Sequence, residues 1–186
     1  MTPEDRGPNP SCFFKVRPSA EFAKEHFDSI DTLVEVGVFW GSNARLMWNH
    51  LRPRMTYLID PYKVYSENSQ DQNSWTRNKE LAIFSTAIIP SKFLFLPSLR
   101  ASGFVPNELD MVYLDGAHDY DNVVADIRCW WKKLRIGGLL CGHDYNNDWD
   151  CPDVKVAVDE LFPSASTDSC DWWIVKETGD ELRKAD

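Results

Sequence analysis

The 186-residue chain predicts a doubly wound α/β domain, a largely parallel sheet covered by helices on both faces. Two observations carry that expectation. Short apolar runs alternate with segments of helical periodicity, which implies crossover connections between parallel strands. The runs themselves, such as "TLVEVG", "MVYL" and "LLCG", lack polar alternation, as strands buried on both faces do.

The elements follow in order from Ser19. "SAEFAKEHF" forms a short helix with Ser19 as its cap, and "TLVEVG" is a strand closed by Gly37. After Gly41, "SNARLMWNHL" places Ala44, Met47, Trp48 and Leu51 at helical spacing, and Pro53 stops that helix. "MTYLID" is the second strand and ends on Asp60-Pro61. The polar stretch from Tyr62 to Trp75 reads as a long loop or lid. "TRNKELAIFS" is a helix, and "KFLFL" and "LDMVYLD" are strands. "YDNVVADIRCWWKKLR" aligns Val123, Val124, Ile127, Trp130 or Trp131, and Leu134 on one helical face, with Gly137-Gly138 as its end. "LLCGHD" is a strand, "DVKVAVDELF" a helix stopped by Pro163, and "DWWIVK" the closing strand. Residues 1–18 hold four prolines and form a flexible arm, so 19–186 make up a single domain.

Composition bounds the function. A formal charge of −9 and a pI near 4.9 argue against a surface built to neutralise phosphates, so no nucleic-acid partner is expected. The five cysteines, Cys12, Cys129, Cys141, Cys151 and Cys170, include no C-x-x-C pair, and a reducing, cytoplasmic setting is the simpler reading. "MTPEDRGPNPSC" lacks the basic and then apolar run of a signal peptide, and no stretch has membrane-spanning length, so no membrane association is expected.

In open α/β sheets, ligands bind beyond the carboxyl ends of the strands near the point where strand order reverses. Here those ends are "VEVGVFWGSN", "LID", "YLDGAH" and "CGHDYNN", which bring Glu35, Asp60, Asp115, His118, His143 and Asp144 to one edge. Gly37 and Gly41 flank a turn that opens a helix whose amides could face a ligand; a tight turn needing small residues explains them equally well. An acid closing the second strand can accept hydrogen bonds from both hydroxyls of a ribose, so Asp60 favours a nucleoside, against a turn cap before Pro61. The nucleoside could belong to NAD or to S-adenosylmethionine.

"VEVGVFWGSNA", "YLIDPY", "DMVYLDGAHDYDNVVADI" and "LRIGGLLCGHDY", in this order, resemble the class I S-adenosylmethionine-dependent methyltransferases. The resemblance is strongest to the group with an E-x-G-x-x-x-G first motif and a D-G-x-H-x-Y fourth motif, relatives of the catechol-like O-methyltransferases, and runs from about Asp31 to Lys176. It implies a Rossmann-like seven-stranded sheet of order 3-2-1-4-5-7-6 with the last strand antiparallel, "SASTDS" being the weak sixth strand. It assigns Glu35, Gly37, Gly41 and Ser42 to the methionine part of the cofactor, Asp60 to the ribose, and Asp115 to the methyl-transfer end. Ser98 would line the adenine pocket, although "LPSLR" lacks the acid that many relatives carry there.

The metal-binding branch of that superfamily implies a divalent cation, such as magnesium, held by Asp115, Asp144 and the residue now occupied by Tyr145. A phenol is a poor magnesium ligand, so His143 or Asn146 would supply the third contact, and a histidine shifts preference toward a transition metal. The metal set is then Asp115, His143 and Asp144. Where that branch keeps a general-base lysine, this chain has His118, so Asp115 and His118, with His143 nearby, form the catalytic group; Asp119 and Asp121 are helix caps. Trp40, Trp75 and Trp149 fall on loops at this edge and could wall a small-molecule acceptor. The chain is too short for a separate substrate domain, so the arm, the 62–75 loop and residues 145–152 shape the pocket, and a homodimer would add walls from a neighbouring subunit. An NAD(P)-dependent oxidoreductase and a non-catalytic nucleoside-binding module are the competing readings.

Overall fold

A computed structural model of the protein describes residues 15–64, 71–147, 151–178 and 182. Helix α1 (Pro18–His26) leads into β1 (Thr32–Val36), α2 (Ser42–Leu51) and β2 (Met55–Ile59). Then come α3 (Gln72–Ser85), β3 (Ser91–Leu94), α4 (Ser98–Ala101) with a 3-10 turn at Ser102–Phe104, and β4 (Leu109–Leu114). Helix α5 (Tyr120–Trp131), β5 (Leu134–Gly142), α6 (Pro152–Leu161), β6 (Ser166–Asp168) and β7 (Asp171–Val175) complete the chain. The strands form one seven-stranded sheet of order β3-β2-β1-β4-β5-β7-β6. Strands β1 to β5 pair in parallel, and β7 runs antiparallel to both β5 and β6. This is the topology that the family resemblance implies.

The two-residue period of a strand sorts the core into layers. Val34, Val36, Val112, Leu114 and Leu140 face α5 and α6, meeting Ile127, Trp130, Val154 and Val158. Their neighbours Leu33, Met111, Tyr113, Leu139 and Cys141 face the other way, against Ala20, Ala23, Met47 and Leu51 of α1 and α2. Every residue of β4 is buried, as a central strand covered on both sides requires. The sheet edges are short: β3 has four residues, and β6 has three, all exposed.

Three local expectations are corrected. Ser19 does not cap α1: Arg17 holds that position without a side-chain cap, and the Ser19 hydroxyl instead donates to Asp171 Oδ2 at 2.5 Å, pinning the helix to β7. The 62–75 segment is not loop throughout, because Asp71 accepts from Ser74 N and starts α3 at Gln72, which buries Trp75. Gly137 and Gly138 do not end a helix. Helix α5 stops at Trp131, and both glycines lie in β5, where the register against β4 shifts between Leu109 and Met111. A side chain on Gly138 would sit 2.9 Å from the Leu109 carbonyl oxygen, so the irregular pairing requires glycine there.

Candidate active site

Strand order reverses between β1 and β4, which pair directly, and the polar strand ends gather above that point. Gly37 makes the closest approach. Its φ is +85°, and a Cβ there would lie 1.8 Å from the Asp115 carbonyl oxygen, so the β1 turn and the end of β4 touch backbone to backbone. Gly41, also left-handed at +75°, opens α2, with Ser42 as its first residue.

Glu35 is fully buried beside that turn. Oε1 accepts from Asn43 Nδ2 at 3.0 Å, while Oε2 is buried and has no hydrogen-bond partner among the described residues. Burial pushes its pKa up to about 8, against the opposing Asn43 hydrogen bond, so the group is protonated at neutral pH. Such an orphaned atom beside a close-approach glycine turn suits a ligand that supplies the missing partner. The folded state keeps a proton that the unfolded chain releases above about pH 4.5, so this contribution to stability is full at low pH and is lost as pH climbs through about 8. Thermal melts should therefore show Glu35→Gln gaining on the wild type between pH 5 and 8.5, by on the order of 4 kcal/mol at most. Parallel pH dependence in the two proteins would rule this out.

Asp60, just past β2, is buried and works on the same turn. Oδ2 accepts from the Val38 and Phe39 amides at 3.1 and 3.0 Å, and Oδ1 from the Tyr62 amide at 2.8 Å. Burial raises its pKa, and these hydrogen bonds oppose the rise. With about four lone-pair positions on a carboxylate, this arrangement leaves room for one further donor rather than a two-hydroxyl grip. Ser98 opens α4, where its hydroxyl accepts from Trp130 Nε1 at 2.8 Å and hydrogen-bonds Asp126. Burial lifts Asp126 to about 6, against the Ser98 bond. Sequence reasoning missed Asp126, although an acid three residues past Val123 and four before Trp130 on an apolar helix face was a readable sign.

The ends of β4 and β5 bring the imidazoles and carboxylates together. His118 Nε2 lies 3.1 Å from Asp144 Oδ2 and 4.0 Å from Asp115 Oδ1, and His143 Nδ1 lies 3.2 Å from Asp144 Oδ1. Asp144 is held in the left-handed region at φ 63°. Burial alone would lower the His118 pKa; hydrogen bonds to Asp115, Asp144 and Cys151 outweigh it and hold the ring protonated. The partner effect drives Asp144 far below the usual carboxylate range. On the far side, Arg17 Nη1 lies 2.7 Å from His143 Nε2. Arginine can only donate, so Nε2 keeps its lone pair and the proton of this ring sits on Nδ1, toward Asp144. Arg17 belongs to the stretch read as a flexible arm, which gave no hint of this contact. Residues 1–14 of that arm lie outside the described residues.

Of the other expected contributors, Tyr145 turns to α6: its hydroxyl donates to Asp159 and accepts from Lys155 Nζ. Asn146 donates to the Ser169 carbonyl, away from the cluster. Asp119 caps α5, accepting from Asn122 N, and Asp121 lies in its first turn. Trp40 is 42% exposed at the β1 turn, whereas Trp75 is buried and packs edge-on against Phe39 and Tyr62. Trp149 lies outside the described residues. Asp115, His143 and Asp144 do come together, with one ligand-type atom from each within 4.8 Å of the others. A magnesium ion nevertheless fits them poorly, since only two offer carboxylates and the third turns an N–H toward the centre.

Residues 34–145, more than half of the chain, match the family described as a methyltransferase domain. An uncharacterized protein, R132, from Acanthamoeba polyphaga mimivirus is 26% identical over 138 residues, covering 70% of this chain and 58% of the relative. The chain thus spans little more than half the length of that relative. Among solved structures, cofactor-bound Rv0187 from MTB superposes with a TM-score of 0.65 at 14% identity, covering 95% of this chain and 84% of that one. The O-methyltransferase NovP gives 0.61 at 20% identity, with 85% and 79% covered. MycE, a methyltransferase from the mycinamycin biosynthetic pathway in complex with Mg, SAH and mycinamycin VI, gives 0.55 at 15% identity, with 87% and 48% covered. At these identities the likeness concerns the fold. The family match, together with the strand order and the motif residues gathered over the β1/β4 reversal, makes this chain a member of the class I S-adenosylmethionine-dependent methyltransferases.

Proposed function

We propose that the protein transfers the methyl group of S-adenosylmethionine to a hydroxyl of a small molecule. One observation carries the reading: the Gly37 turn with its orphaned Glu35 oxygen and the His118–Asp144–His143 cluster flank a single backbone contact, Gly37 against Asp115. A cofactor held by this turn would lie beside the cluster, which could then serve the transfer of its methyl group. Bound S-adenosylmethionine supplies an already activated methyl, so the chain's own work is to hold the acceptor oxygen in line and remove a proton. With the methyl group moving from the cofactor sulfur to the acceptor oxygen, the Asp115–His118 pair would take the hydroxyl proton. His118 serves in its neutral form, so it must first shed the proton that its carboxylate neighbours favour. Gly37, Gly41 and Ser42 would hold the methionine portion, Asp60 one ribose hydroxyl, and the Ser98 region the adenine. No step is routed through magnesium.

The net charge of −9 supports a small acceptor over a nucleic acid. No described helix is long and apolar enough to cross a membrane. A cytoplasmic setting and a homodimer that completes the acceptor pocket belong to the same proposal. Calorimetry with S-adenosylmethionine, S-adenosylhomocysteine and NAD tests it: micromolar binding of the first two and silence from NAD is expected, with Asp60→Ala weakening binding at least about tenfold. Silence from all three would favour a non-catalytic module, and binding of NAD alone an oxidoreductase.

A further inference from the structure

Asp144 stands at the junction of two triplets. One is Asp115, His143 and Asp144, the set expected from the sequence; the other is His118, Asp144 and Cys151, and in each the ligand-type atoms lie within 4.8 Å of one another. Arg17 decides between them. Because it donates to His143 Nε2, the His143 nitrogen facing Asp144 carries the proton and has no lone pair to offer a cation. The second triplet differs in chemistry through a thiol, and its His118 Nε2 proton leaves when a cation enters.

We propose that His118, Asp144 and Cys151 form a binding site for a transition-metal dication of the zinc and cobalt type. Imidazole, thiolate and carboxylate together select such an ion over magnesium or calcium, which require oxygen donors. Two anionic ligands and one neutral ligand balance the charge, and binding expels the Cys151 thiol proton and the His118 Nε2 proton to solvent. Ligands on a tetrahedral ion stand roughly 3.3–3.8 Å apart; His118 Nε2 and Asp144 Oδ2 are already at 3.1 Å, and the Cys151 sulfur lies within 4.8 Å of a ligand-type atom on each. Asp144 and Cys151 are both buried residues. Asn147 orients the pair: its Nδ2 donates to Asp144 Oδ1 at 3.0 Å and reaches Cys151 Sγ at 3.7 Å, while its carbonyl accepts from the Cys151 amide at 2.8 Å. A ligand-orienting shell of this kind is characteristic of metal sites. Three protein ligands leave one position open for an acceptor oxygen. The ion's part in catalysis rests on the methyltransferase reading; its presence does not. With the ion bound, His118 Nε2 is a ligand, and Asp115 alone is left to take the acceptor's proton.

The test is a titration of cobalt(II) chloride into the full, reduced, metal-free chain. Expected are a near-ultraviolet sulfur-to-cobalt band that saturates at one equivalent and the visible bands of tetrahedral cobalt, both erased by zinc and untouched by excess magnesium. Cys151→Ser should abolish the near-ultraviolet band and weaken cobalt binding at least about tenfold, and Cys129→Ser, whose thiol lies on α5, should change neither. His118→Gln, at a less buried position, is the second variant and should lose affinity while keeping the sulfur band. A folded wild type without the band, a band that survives Cys151→Ser, or displacement by magnesium would each overturn the site. S-adenosylhomocysteine calorimetry on the same samples separates the two readings: cofactor binding without a cobalt band sinks the metal site alone, and a cobalt band without cofactor binding sinks the methyltransferase reading alone.

Discussion

Gly37→Ala should cost about 3–5 kcal/mol of stability, from overpacking and a left-handed backbone together, and lower Tm by roughly 6–20 °C. The added Cβ would fall 1.8 Å from the Asp115 carbonyl oxygen, 2.4 Å from its carbon and 2.9 Å from the Gly116 nitrogen, all backbone atoms that cannot rotate aside. Relief requires the β1 turn and the end of β4 to part, and those are the two halves of the site. Affinity for S-adenosylhomocysteine should fall with stability. Gly103→Ala is the control, since a Cβ there meets nothing within 4 Å. A Gly37→Ala protein that melts with the wild type and binds the cofactor product normally would show that the close contact opens freely and that the turn is not held against β4.

In the metal-free protein, His118→Ala is expected to cut turnover by about 10²–10⁴-fold while leaving S-adenosylhomocysteine affinity nearly unchanged. The ring contacts Asp115, Asp144 and Cys151 beyond the ends of β4 and β5, so its loss should fall on proton transfer. Added imidazole should restore part of the rate, because the space left lies between fixed carboxylates. Full turnover in the variant would remove His118 from the chemistry.

The alternation of strands and helices was legible because burial on both faces of a parallel sheet leaves an unmistakable apolar run, as in the wholly buried β4. The site was legible where its residues close strands: Glu35, Asp60, Asp115, His118, His143 and Asp144 all stand at one edge. Contacts made across the chain were not. Arg17 reaches His143 over 126 positions, and Ser19 reaches Asp171 over 152, so neither leaves a local pattern. Cys151 looked like one cysteine among five until folding set it beside His118 and Asp144. The glycines of β5 misled for a physical reason: paired glycines past an amphipathic helix signal a C-cap, and an irregular ladder needs the same freedom of φ.

The sheet ends in two short strands, one of four residues with Lys92 exposed along it and one of three residues, Ser166, Thr167 and Asp168, open to solvent throughout. Brevity and charge at an edge discourage another chain from adding its own strand. Both edges therefore oppose growth of the sheet by backbone pairing, which makes the side chains of the helices the surface better suited to meeting a second copy.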